Sequence, residues 1–151
     1  MIKELFDLSG RCALITGVSK GIGTAVARAC AEAGADIAIC SRSEEELATA
    51  AGEIGAGLDV KVAYRVCDMT DRGQSDELAK WAVETLSKVD ILFNNAGSNE
   101  PADLVDQGDE SWDRILELNL TSCMRLSRIL ANGMIERKWG RIIFTSSIMG
   151  M

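Results

Sequence analysis

The sequence predicts an α/β fold, an open doubly wound parallel sheet with five strands in one domain spanning residues 1–151. Three observations carry that expectation. Short apolar runs alternate with longer stretches of helical periodicity from end to end. The apolar runs are too continuous to alternate in and out, as in strands covered on both faces by helices. A turn with glycines at 17, 21 and 23 joins the first apolar run to the first helical stretch.

The first strand is "CALIT" (12–16). After the turn, "GTAVARACAEAG" is a helix expected to bury Val26, Ala29, Cys30 and Ala33, with Gly34 as its stop. "DIAICS" (36–41) is the second strand. The helix after it opens on a Ser43-x-x-Glu46 capping box and places Glu44, Glu45 and Glu46 in its first turn, where the helix dipole favours acids. "KVAYRVC" (61–67) is the third strand, and Leu78, Trp81, Ala82 and Leu86 mark the core face of a third helix. "DILFNN" (90–95) is the fourth strand. A single long helix is expected from Glu110 to Lys138, carrying Trp112, Ile115, Leu118, Met124, Leu126 and Leu130, before "GRIIFTS" as a fifth, buried strand. Strands separated by helices run parallel with right-handed crossovers.

Composition narrows the chemistry. A net charge of −7 argues against a nucleic-acid partner, though a local basic spot for a small anion is compatible with it. No apolar run reaches membrane-spanning length, and Glu4 and Asp7 interrupt any leader-like stretch, so a cytoplasmic protein is expected. The five cysteines form an odd set without a CxxC pair, which fits reduced, buried thiols. With no histidine, Ser-His-Asp triads and nearly all zinc or non-haem iron sites are excluded, and no metal is expected.

The glycine turn "TGVSKGIG" has the chemistry of a phosphate cradle. Gly17 serves the turn, Gly21 the close approach of the anion, and Gly23 the packing of helix on strand. Ser19, Lys20 and Ile22 complete the segment whose free N–H groups face the anion. A turn kept for packing alone is the alternative.

About 20 residues beyond the glycines of such a turn, a carboxylate favours a ribose 2′-hydroxyl and an arginine a 2′-phosphate. This sequence has Ser41-Arg42 there, and Lys20 adds a cation. NADP(H) is therefore favoured over NAD(H), the alternative being that both cations are simply solvated.

The GxxxGxG spacing, "CDMTD" (67–71), "NNAG" (94–97), Asn119 in "LELNLTS" and "GRIIFTSSIMG" (140–150) together resemble the short-chain dehydrogenase/reductase family over essentially the whole chain. The resemblance, loosely to its gluconate 5-dehydrogenase, 3-oxoacyl reductase and tropinone reductase-like branches, implies a Rossmann-like oxidoreductase. Its substrate would be a small ketone or secondary alcohol of sugar, polyol or oxoacyl type, and its assembly a dimer or tetramer. It also implies that Asp68 and Met69 hold the adenine, that Asn95, Ala96 and Gly97 line the nicotinamide side, and that Ser147, with Ser146 as the alternative, and Asn119 are catalytic. Without the resemblance, Ser147 reads better as a strand-end hydroxyl satisfying a local N–H than as a catalytic group, and the paired asparagines could be backbone partners at a strand end.

The family's Tyr and Lys in a YxxxK segment are not among these residues. The one tyrosine, Tyr64, lies in the third strand and is followed four residues on by Asp68. The chain is therefore expected to be the amino-terminal portion of a longer enzyme, probing as cofactor binder rather than catalyst when alone. The alternative is a non-catalytic dinucleotide-binding module or truncated remnant.

Overall fold

The computed structural model of the chain describes residues 5–147. Residues 148–151, which close the "GRIIFTSSIMG" stretch, lie outside the described residues. The elements run β1 (Cys12–Thr16), α1 (Ile22–Glu32), β2 (Asp36–Ser41), α2 (Glu44–Gly55), β3 (Val62–Val66), α3 (Arg72–Leu86) and β4 (Ile91–Asn94). They continue through α4 (Asp109–Leu116), a π-helical segment (Glu117–Thr121), α5 (Ser122–Glu136) and β5 (Arg141–Phe144). The strands form one parallel sheet in the order β3-β2-β1-β4-β5. Sequence order reverses between β1 and β4, and open sheets of this type bind ligands at such a switch point.

The most apolar strand takes the centre. All five residues of β1 are buried, and successive side chains feed opposite faces. Leu14 joins Leu78, Leu92 and Leu126 on one face, and Ile15 joins Ile37, Leu47 and Ile54 on the other. Capping follows the residue types expected. Ser43 Oγ accepts from Glu46 N at 3.3 Å at the start of α2, and Asp71 Oδ1 accepts from Gln74 N at 3.0 Å at the start of α3. All five cysteines are free, and four of them are buried.

Three expectations are corrected. On α1 the buried residues are Gly23, Ala27 and Ala31, while Ala29 is exposed and Val26 and Cys30 only flank the core. The helix lies so close to the glycine turn that a Cβ on Gly23 would fall 2.6 Å from Gly17 O, and that approach selects the row with the smallest side chains. The long helix is not uniform, because the π-helical segment inserts a residue between α4 and α5. One extra residue turns the apolar face by about 100°. Leu126 and Leu130 therefore reach the core, whereas Trp112 and Met124 stay exposed. Finally, β5 is not buried: it is the edge strand of the sheet, with Ile143 and Phe144 40 % and 55 % exposed.

Candidate functional site

At the carboxyl ends of the strands the first turn is held by a buried hydroxyl. Thr16, the last residue of β1, accepts at Oγ1 from Asn95 N at 3.1 Å and Ala96 N at 3.0 Å. Asn95 returns the contact, its Nδ2 donating to Thr16 O at 3.2 Å and Gly17 O at 3.1 Å. Its Oδ1 accepts from Thr145 Oγ1 at 3.1 Å. One amide thus ties the glycine turn, the end of β4 and the end of β5 together.

The glycines do different work. Gly17 has φ 69°, and a Cβ there would lie 2.7 Å from Ala96 Cα. Gly21 has φ 73° and open space where a Cβ would point. No side chain caps the start of α1. Uncapped N–H groups with the positive end of a helix dipole and no side chain in the way suit a phosphate, so these residues fit the group the sequence suggested.

A cleft of about 640 Å³ runs from this turn across the sheet end. Among its lining are Gly17, Ser19, Arg42, Asp68, Met69, Asn95, Ala96 and Gly97, eight of the twelve residues expected to hold cofactor. The other four lie elsewhere. Lys20 and Gly21 line a separate groove of about 770 Å³ between α1 and α2, Ile22 lines the neighbouring cavity, and Gly23 is buried behind the turn. Lys20 and Arg42 therefore do not line one pocket, although Ser19 lines both. Glu46, which sequence reading treated only as a helix-capping acid, lines the same cleft as Arg42.

Asp68 is oriented from its own loop. Its Oδ1 accepts from Thr70 N at 2.9 Å and Thr70 Oγ1 at 2.8 Å, and its N–H donates to Gln74 Oε1 at 3.0 Å.

A second cavity of about 520 Å³ shares Asn95, Ala96, Gly97 and Ser98 with the cleft and brings Asn119 and Ser147 to one wall set. The Asn119 amide is occupied by the loop after β4: its Nδ2 donates to Ser98 O at 2.8 Å and its Oδ1 accepts from Ser98 N at 3.0 Å. That two-point clasp holds the loop against the π-helical segment. The Asn119 backbone carbonyl accepts from the Cys123 thiol at 3.5 Å. Burial pushes that thiol up from its ordinary range.

Sequence reading missed Thr16, Ser98 and Thr145. A hydroxyl ending an otherwise apolar strand was the available signal for Thr16; nothing in the sequence tied Ser98 to Asn119 or Thr145 to Asn95. Among the described residues, no group of three or more His, Cys, Asp or Glu side chains is placed to hold a metal.

Strand order, switch-point cleft and uncapped helix start define a Rossmann-like α/β domain. The chain belongs to the short-chain dehydrogenase family, whose model matches residues 11–151. It is 40% identical over 148 residues, 97% of this chain, to a 2-dehydro-3-deoxy-D-gluconate 5-dehydrogenase from Pseudoalteromonas atlantica, covering 58% of that protein. To an NADP-dependent mannitol dehydrogenase of Alternaria alternata it is 35% identical, over 99% of this chain and 57% of that one. A crystal structure of a short-chain type dehydrogenase/reductase from Mycobacterium marinum superposes with a TM-score of 0.91 at 37% identity, covering 99% of this chain and 59% of the other. The chain spans little more than half the length of these relatives. Among the described residues no helix is long and apolar enough to cross a membrane.

Proposed function

We propose that the protein of which these residues are part is an NADP(H)-dependent oxidoreductase that interconverts a small ketone and a secondary alcohol of sugar, polyol or oxoacyl type. The observation that carries this reading is the cleft itself, which Gly17 and Ser19 of the glycine turn line together with Arg42, Asp68 and the Asn95–Gly97 loop. A nicotinamide cofactor, when bound, supplies the hydride. The start of α1 would hold its pyrophosphate, Arg42 its 2′-phosphate, and Asp68 with the Met69 backbone its adenine. Ser147 would donate to the substrate oxygen in the adjoining cavity, and Asn119 would keep that cavity's wall in place through Ser98. The proton donor is not among these residues: the one tyrosine, Tyr64, is on β3 at the opposite edge of the sheet from β5.

NAD(H) is the second reading, and one observation favours it: Glu46 lines the same cleft as Arg42, while Lys20 lies on the groove outside it. Dissociation constants of the full-length protein for NADPH and NADH separate the two. Charge-assisted hydrogen bonds are worth about 1.5–3 kcal/mol, so Arg42→Asp should weaken NADPH by about 10–100-fold and leave NADH nearly unchanged or tighter. Tighter binding of NADH than NADPH by the unmutated protein would overturn the NADP(H) assignment.

A dimer or tetramer belongs to the same proposal. Its support is a row of exposed apolar residues, Trp112, Leu116, Leu120 and Met124, on the α4–α5 surface. A cytoplasmic location is consistent with the free thiols but is likewise proposed.

A further inference from the structure

Three sulfur-bearing side chains, Cys40, Cys67 and Met69, share one buried cluster beneath the cleft, and the proposed reaction uses none of the three sulfurs. Cys40 is the fifth residue of β2, and Cys67 follows β3 directly, its N–H donating to Ser41 O at 2.8 Å so that the strand pairing continues through it. The register pairs Cys40 with Arg65, which puts Cys67 two residues further on the same face of the neighbouring strand. Both thiols belong to one buried cluster, together with Met69, and all three residues are at least 95 % buried, with exposures of 0 %, 1 % and 5 %. The Cys67 Sγ lies 3.7 Å from Met69 Sδ. Cys67 and Met69, but not Cys40, line the cleft, so the group has an opening on that side.

The diagonal register decides what this group suits. Two rises along the strand and one strand spacing put the Cys40 and Cys67 Cα atoms about 8 Å apart. A disulfide needs them within about 7 Å, so closing one would require backbone movement. An ion between the sulfurs spans a wider gap than an S–S bond. Thiolate and thioether donors select soft cations, and the absence of histidine and oxygen donors from the group disfavours harder ones.

We propose that Cys40, Cys67 and Met69 form a binding site for a soft monovalent d¹⁰ cation, Cu(I) or Ag(I), entered from the cofactor cleft. The cation displaces the two thiol protons to solvent, two S–H bonds are replaced by two S–metal bonds, and the Met69 thioether is the third donor. No electrons are transferred. The site itself does not depend on the reaction proposed above. Only its antagonism with a cleft ligand rests on that reading, because Met69 and Asp68 would be displaced together.

Titration of the full-length protein with Ag(I), followed by thiolate–silver absorption and by proton release, tests the assignment. One tight equivalent is expected, present in a Cys12→Ala/Cys30→Ala/Cys123→Ala variant and lost in Cys67→Ala. Cys40→Ala should lose it too, and Met69→Leu should keep it with weaker affinity; the single Cys67→Ala substitution decides the matter if Cys40→Ala does not fold. Retention of the tight equivalent in Cys67→Ala, or its loss in the triple variant alone, would overturn the site. Repeating the titration at saturating NADPH separates the two readings: competition is expected, and tight silver binding indifferent to bound NADPH would overturn the claimed antagonism while leaving the metal site standing.

Discussion

At the scale of single residues, Thr16 is the most consequential polar group in the chain. It is 1 % exposed, and its one oxygen serves two backbone N–H groups that carry the loop after β4. Thr16→Val keeps the shape and strands both donors. Buried unsatisfied groups cost about 1–3 kcal/mol each, so urea unfolding should show a loss in that range or somewhat above it, and Thr16→Ser should recover most of it. Equal stability of Thr16→Val and the unmutated protein would show that the loop finds other partners. The sequence marked this residue only as the end of a strand. The glycines beside it were legible because their requirement is local: Gly17 needs a positive φ, and that demand is visible in one residue type. The Thr16 contacts join residues 79 and 80 positions apart, and no local pattern encodes such a distance.

Among the elements, the join between α4 and α5 matters most for the site, because the π-helical segment carries Asn119. Its first residue, Glu117, is gripped by Arg72 of α3 through two contacts, Nε to Oε1 at 3.0 Å and Nη2 to Oε2 at 2.7 Å. The Arg72 hydrogen bonds hold the Glu117 carboxyl below its usual 4.5, against a smaller opposing effect of burial. A depressed carboxyl stabilises the fold above its unfolded value and loses that contribution as pH falls through the folded one. The pair should therefore contribute fully at pH 7 and fade below about 4.5. Glu117→Gln should lower stability at pH 7 modestly and flatten the acid side of the stability profile, as measured by denaturant unfolding at a series of pH values. An unchanged acid slope would mean the pair is not felt. Strand and helix positions here were readable because hydrophobic period and caps are short-range signals. The π insertion was not, since nothing local in "LELNLTS" marks an extra residue, and the contacts the segment makes, Glu117 with Arg72 of α3 and Asn119 with Ser98, are 45 and 21 positions apart in sequence. The face of α1 was misjudged for a related reason. Larger Val26 and Cys30 look like core, but the close approach to the turn admits only Gly23, Ala27 and Ala31.

For the whole molecule, topology followed from the alternation of elements, whereas burial of the last strand did not. Apolar content made "RIIF" read as interior, yet an edge strand has a neighbour on one side only, and in this chain β5 pairs with β4 alone. Ile143 and Phe144 are exposed beside backbone groups that face no strand among the described residues. Such an edge is a template for another chain. The 151-residue chain produced by itself should accordingly self-associate as its concentration rises, and sedimentation velocity should follow the shift. Charged residues blunt edges, so Ile143→Lys with Phe144→Lys should move the population toward monomer. The row Trp112, Leu116, Leu120 and Met124 offers a different surface for association, and the same measurement separates them. If the doubly substituted chain associates as strongly as the unmutated one, the helix row and not the sheet edge is what draws two copies together.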